Sequence, residues 1–162
     1  MSDVVLKTAW MRDDPALEAD ARAVWETHNL VARAEDRAYR ARELGVVAYC
    51  DGQTAAVATA ELAMMSGLRA RFAVCRVSVH PGLRRRQLSA RTFGHLRTVL
   101  EAWSADHPQE KVMGMSAIIQ AAEYDEKQRD PHWPDWGLFL TLAGYTPRNE
   151  QVRIAWFRHA RV

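Results

Sequence analysis

Val77-Ser78-Val79-His80-Pro81-Gly82-Leu83-Arg84-Arg85-Arg86-Gln87-Leu88-Ser89-Ala90 is the stretch whose reading decides the fold. An apolar strand-like run leads into a basic turn, and the turn opens directly onto an amphipathic helix. That helix is legible in Leu88, Thr92, Leu96, Val99, Leu100 and Trp103, whose spacing draws a single apolar stripe. Its first turn coincides with the end of the arginines. The unpaired N–H groups of a first helical turn, the positive end of the helix dipole and three consecutive arginines all favour an anion there, most naturally a nucleotide-type diphosphate. The plainer alternative is a solvated basic turn before an ordinary helix.

Upstream, Arg69 through Val79 reads as the strand that feeds the turn, and Met64-Met65-Ser66-Gly67 closes the element before it. Val46–Cys50 and Gln53–Leu62 are two apolar runs separated by Asp51-Gly52, a strong hairpin signal. Val4–Trp10 reads as a first strand. Asp14-Pro15 then supplies an N-cap and a first-turn proline for a helix with Leu17, Ala21, Val24 and Trp25 on its apolar face. Asn29 breaks that helix, and a second, charge-dense helix is expected from about Val31 to Leu44, ended by Gly45.

Downstream, Asp106-His107-Pro108 stops the central helix, and Lys111–Ile119 reads as a buried strand. Strand, helix and strand in this order make a right-handed crossover, so the two strands should be parallel. Gln120–Trp133 is a polar stretch without a clear period and longer than most connections, hence a functional loop by expectation. Trp136–Ala143 looks helical, with Gly144 as its C-terminal glycine, and Val152–Phe157 is a final strand. No repeat, low-complexity tract or linker interrupts the chain, so residues 1–162 are expected to form one domain.

At Val79-x-Pro81 followed by Arg84-Arg85-Arg86-Gln87-Leu88-Ser89, the sequence resembles the signature of the GNAT superfamily, the acyl-CoA-dependent N-acyltransferases. Gln87 and Ser89 stand where that family usually has glycines. Glycine adopts positive φ at little cost and lets the backbone approach phosphate, while a serine hydroxyl can itself donate to phosphate. Leu142-Ala143-Gly144-Tyr145 also resembles the family's late Leu-Gly-Phe element. The resemblance implies an α/β (α+β) fold: a central twisted mixed sheet of about six to seven strands with a splayed parallel pair, flanked by about four helices. It further implies acetyl-CoA as co-substrate. Its diphosphate would lie at Arg84, Arg85, Arg86, Gln87, Leu88, Ser89 and Ala90, and its pantetheine arm along Val77, Ser78 and Val79.

Direct attack of an amine on a thioester needs a proton acceptor, a stabilised carbonyl oxygen and a protonated leaving thiolate. Glu61, near the end of the long hairpin arm, is the candidate acceptor, against a plain reading as a solvent-facing strand-end carboxylate. His80 has a suitable side chain but reads equally as a surface histidine introducing the turn. The family's usual acid is a tyrosine four residues before the late glycine, a place held here by Leu140; Tyr124 is the candidate replacement. In the loop, Asp125, Glu126, Asp130 and Trp133 suit a cationic amine through charge and cation–π attraction, while tryptophans at element boundaries also commonly anchor a loop.

Composition sets the outer bounds. With 48% hydrophobic and 26% charged residues and a net charge of +2, the chain is balanced as a soluble domain and too weakly basic overall to imply nucleic acid. No apolar run approaches membrane-spanning length and no signal-peptide pattern opens the chain, so a cytoplasmic protein with no membrane partner is expected. Cys50 and Cys75 sit in apolar runs as expected buried thiols, and the six histidines lack ligand spacing, so no metal is indicated. The leading function is N-acetyl transfer from acetyl-CoA to a primary amine of a small molecule or a protein. A weakly active CoA-binding regulatory domain is the alternative, and a nucleic-acid module using Arg84, Arg85, Arg86, Arg91 and Arg97 comes third. A homodimer is compatible with either of the first two readings.

Overall fold

The computed structural model describes residues 3–119, 130–134 and 137–162, with residues 84–86 described by their backbone alone. Contacts gather the chain into two compact units. The first comprises Met1–Ala60 and Arg76–Val99, and the second Glu61–Cys75 and Leu100–Val162. Strands β3 (Gln53–Met65) and β4 (Ala70–Val79) and helix α3 (Leu88–Asp106) run through both.

In the first unit the strand order is β1 (Val4–Thr8), β2 (Leu44–Cys50), β3, β4. β1 and β2 are antiparallel, as are β2 and β3. The β2–β3 turn is the expected hairpin: Asp51 and Gly52 take φ of 51° and 80°, the left-handed pair that a two-residue loop requires. Helix α1 (Pro15–Thr27) starts where Asp14 Oδ1 accepts from the Leu17 N–H at 3.1 Å. It buries Leu17, Ala21, Val24 and Trp25 with Ala9, Val31, Ala41, Leu44, Val47 and Val57 in one core. A second core gathers Ala48, Cys50, Ala55, Ala56 and Leu88 with Val77, Val79 and Leu83. The strand feeding the turn and the first residue of α3 are thus packed together, as the crossover demands.

Helix α2 spans only Ala34–Ala41, shorter than the expected Val31–Leu44. Leu44 and the apolar residues after it are claimed by β2, where they pair with β3. Gly45 is therefore not a helix stop. It lies inside β2, where a Cβ would come within 2.5 Å of Leu96 Cδ1, so its role is to let α3 approach the sheet.

In the second unit the order is β3, β4, β5 (Val112–Ile119), β8 (Gln151–Trp156), β7 (Leu140–Tyr145), β6 (His132–Trp133). β4 and β5 are parallel, as the crossover requires, and the β5–β8, β8–β7 and β7–β6 pairs are antiparallel. Eight strands occur among the described residues, slightly more than the six to seven expected. The expected fourth helix is absent at Leu140–Ala143, where β7 stands instead. Pairing with β8, Thr141 opposite Ile154 and Leu142 opposite Arg153, overrides the local helical spacing. Gly144 is correspondingly a strand residue at a register shift rather than a helix cap. Gly114 lets β5 pack closely, because a Cβ there would press on the Ala155 carbonyl and come within 2.7 Å of the Phe72 ring.

Candidate active site

The basic turn is a 3-10 helix, Pro81–Arg86, that hands over to α3 through Gln87 at φ 53° and ψ 28°. A left-handed residue is what the family's glycine would supply at this place, and here a glutamine adopts it. Arg91 N–H donates to the Gln87 carbonyl at 3.0 Å, the first bond of the helix. Helical geometry therefore leaves the N–H groups of Leu88, Ser89 and Ala90 without acceptors inside the helix. Leu88 is fully buried and fixes the helix start in the core, while Gln87 is exposed.

β4 changes its pairing along its length. Its ladder with β5 runs from Arg71 opposite Val112 to Cys75 opposite Ala117, yet the strand itself continues to Val79. His80 N–H donates to the Ala55 carbonyl at 2.8 Å, which directs this parity of β4 towards β3. Alternation then turns the N–H groups of Val77 and Val79 to the other edge, with Ser78 between them facing β3.

His80 sits at the hinge of strand and turn. Its Nδ1 accepts from the Gly82 N–H at 3.0 Å, its Nε2 lies 3.0 Å from the Gln53 side-chain amide, and its ring meets the His28 ring edge-on at 4.1 Å between centroids. The Leu83 N–H donates to its carbonyl at 2.9 Å. Glu61 is a half-buried residue of β3, on the strand's second stretch. Asp130 lends its carbonyl to the Arg153 guanidinium at 2.8 Å, and that guanidinium stacks 3.5 Å above the Trp133 ring. Arg153 itself is fully buried on β8, and burial pulls its guanidinium below the ordinary range, with Tyr145 and Asp130 opposing the effect. Trp133 thus holds an internal cation on one face, a contact no motif in the sequence announced. Tyr124, Asp125 and Glu126 lie outside the described residues, so the expected acid and two of the expected acceptor contacts have no position here. Leu140, in the tyrosine's place, is buried on β7.

Two further groups were not singled out by sequence. Thr8 Oγ1 and His95 Nε2 meet at 2.9 Å, tying β1 to α3 within the first unit. Arg40 of α2 is half-buried, and desolvation and the nearby Arg76 lower its pKa while Asp36 and Glu43 oppose the effect. Cys50 and Cys75 are both buried, and neither is in a disulfide. Among the described residues no group of three or more His, Cys, Asp or Glu is placed to hold a metal ion. No helix among them is long and apolar enough to cross a membrane.

The fold is shared with solved structures, several of them GNAT-family acetyltransferases. The loading GNATL domain of CurA from Lyngbya majuscula superposes with a TM-score of 0.62 at 11% identity, over 97% of this chain and 99% of that one. The fold is GNAT-like. YncA from Salmonella typhimurium, a putative acetyltransferase solved with its cofactor acetyl-CoA, gives a TM-score of 0.55 at 15% identity, covering 98% of this chain and 96% of its own. The ribosomal-protein-S18-alanine N-acetyltransferase from Escherichia coli gives 0.55 at 12% identity, covering 98% and 97%. No protein-family model and no curated protein matches the sequence. At such identities the likeness resides in the fold, so the chemistry has to be argued from this chain's own residues.

Proposed function

We propose that this protein is an acyl-CoA-dependent N-acyltransferase, acetyl-CoA being the donor and a primary amine the acceptor. The observation that carries the reading is the conjunction of a left-handed Gln87 with the start of α3, whose first three N–H groups, of Leu88, Ser89 and Ala90, have no acceptor inside the helix. The residues present suit a coenzyme A diphosphate: the turn reaches the helix in the conformation that glycine normally supplies, and no side chain has to donate. Oxygens of the diphosphate accept from Leu88, Ser89 and Ala90, and the helix dipole adds to the attraction. Arg84, Arg85 and Arg86 supply positive charge along the same turn.

The pantetheine arm then follows the edge of β4 beyond Cys75. Its amides pair with Val77 and Val79 as an added strand would, which uses backbone groups and explains why the side chains there need no special chemistry. The same edge is suited to hold the thioester carbonyl oxygen, whose negative charge grows as the amine attacks. The amine nitrogen bonds to the carbonyl carbon, the carbon–sulfur bond breaks, and coenzyme A leaves as a thiolate. A thiol pKa near 8.5 makes that departure tolerable without the tyrosine replaced by Leu140. Glu61 accepts the proton that the ammonium must lose, directly or through water, and Tyr124 is the candidate donor to the thiolate. Asp125, Glu126, Asp130 and Trp133 belong to the segment assigned to the acceptor, with Trp133 and the Asp130 backbone shaping it through Arg153.

The test is a calorimetric titration with acetyl-CoA followed by thiol release across a panel of amines. Binding with turnover supports the transferase, binding without turnover on any amine points to a CoA-binding regulatory domain, and no binding rejects both. Glu61→Gln should lower turnover at neutral pH by about 100-fold, the scale of one general base, while leaving acetyl-CoA affinity within about twofold. Equal activity across pH would remove Glu61 from the reaction.

A further inference from the structure

Every polar atom of His80 is occupied. Its backbone N–H binds the Ala55 carbonyl and its carbonyl accepts from Leu83. Its Nδ1 accepts from the Gly82 N–H, and its Nε2 meets the Gln53 amide. A backbone N–H can only donate, so Nδ1 must present a lone pair, and a neutral imidazole with an acceptor Nδ1 carries its proton on Nε2. The atom beside it is the Gln53 amide nitrogen at 3.0 Å, which likewise only donates, so the two donors are reconciled by turning the amide over to put its oxygen there.

Sequence prepares this geometry. A residue before proline is held out of the helical region, and His80 adopts φ −53° and ψ 125°, so it is extended when the turn begins. Pro81 lacks an N–H, which makes Gly82 the first donor of the turn that needs a partner. Gly82 also leaves room: a Cβ there would come within 3.3 Å of the imidazole Cε1. The His28 ring, at the end of α1, supports the imidazole from one side at 4.1 Å. The arrangement is an N-cap in which imidazole does the work usually given to a serine or aspartate.

We infer that His80, as its Nε2–H tautomer held by Gln53, is a positioning residue that sets the basic turn for the coenzyme A diphosphate, and not the base of the reaction. The inference rests on the acyl-CoA reading of the turn. Its lone pair is spent on Gly82, and a proton taken there would set two donors against each other and release the turn. Gln53 orients the ring as a carboxylate or carbonyl orients a catalytic histidine, but the object positioned is backbone.

Substitutions separate this role from catalysis. An asparagine oxygen reaches the N–H two residues on, as in an Asx turn, whereas alanine offers no acceptor. His80→Ala should weaken coenzyme A binding and raise the acetyl-CoA KM about tenfold with kcat within about twofold, and His80→Asn should restore both to within about threefold of the parent protein. Nitrogen NMR of the parent should show a protonated Nε2 and an acceptor Nδ1, and exchange of the Gly82 amide should be slow in the parent and in His80→Asn and fast in His80→Ala. A fall in kcat that asparagine fails to rescue, with binding intact, would make His80 the base and overturn the inference. Unchanged coenzyme A affinity in His80→Ala, or a protonated Nδ1, would do the same. If the parent binds no coenzyme A, the proposed function fails first. Gly82 exchange then decides the cap alone, and a rate unchanged by His80→Ala ends it.

Discussion

The two stretches of β4 are continuous in sequence but differ in what they bind. From Arg71 to Cys75 the strand is laddered to β5, buries Phe72, Ala73 and Cys75, and is pinned by Arg71 to the Glu110 carboxylate at 2.6 Å. From Arg76 to Val79 the β5 ladder is gone, every residue is half-buried, and the strand ends in the capped turn at His80. This second stretch leads through the turn to the start of α3, the part of the molecule to which the proposed function assigns the coenzyme A site. The difference teaches that one strand can change its pairing partway along, laddered to β5 at its start and not at its end, with no change in residue type to mark the passage.

The largest expected effect lies on the structural stretch. Gly114→Ala would drive a Cβ into the Ala155 carbonyl and the Phe72 ring, against groups that cannot both retreat. A loss of about 3 kcal/mol is expected from such overpacking, seen as a fall in Tm of roughly 6–12 °C for a domain of this size. Coenzyme A affinity, measured well below the new Tm, should stay within about twofold. A variant that melts normally would mean that β5 has room to move and that the paired stretch is less rigid than described.

Next comes the open stretch. Val77→Pro removes an N–H from the edge that faces away from β3, a position where a sheet tolerates proline. Coenzyme A binding should weaken about tenfold, one hydrogen bond's worth, with a Tm drop of only a few degrees. The reverse pattern, a collapsed Tm with unaltered affinity, would show that the edge N–H serves the fold and would erase the contrast between the two stretches.

These predictions use positions that were legible in different degrees. The crossover was readable because its signals are long and periodic: a strand, a basic turn and a stripe from Leu88 through Leu100. The β2–β3 hairpin followed from Asp51-Gly52, and α1 from Asp14-Pro15, since each dipeptide has few backbone solutions. The β7 segment reads as a helix because Trp136, Phe139, Leu140 and Ala143 fall at helical spacing, while the pairing that makes Leu140–Tyr145 a strand comes from β8. Gly45 was misread for a related reason. Glycine after a charged helix looks like a stop, and the Leu96 side chain that requires it is distant in sequence.

The site was legible as a turn and not as a mechanism. Nothing about glutamine announces a left-handed residue, so Gln87 looked like a defect in a glycine motif when its backbone adopts the glycine conformation. His80 could have been read further, because a residue before Pro-Gly is a natural turn opener. Its partners Gln53 and His28 belong to other elements and were invisible. Trp133 combines both difficulties, since its cation is Arg153 of β8 rather than a ligand.

The smallest expected effect sharpens the same comparison at the turn. Gln87→Gly relieves a left-handed side chain but loosens the unfolded chain, so a net gain of about 0.5 kcal/mol is expected. Calorimetry should show a Tm rise of about 1–2 °C with coenzyme A affinity equal or tighter. A loss of stability would mean that the Gln87 side chain contributes contacts outweighing the strain.

The central claim is that backbone N–H groups at the end of β4 and at the start of α3 receive coenzyme A. Amide NMR of the parent protein during a coenzyme A titration tests it directly, because each donor is observed on its own. Saturable shifts concentrated on Val77, Val79, Leu88, Ser89 and Ala90, with the amides of Phe72 to Cys75 nearly still, are the predicted result. Binding that leaves those five amides unmoved, or shifts that fall instead on the β5-paired stretch, would contradict the account.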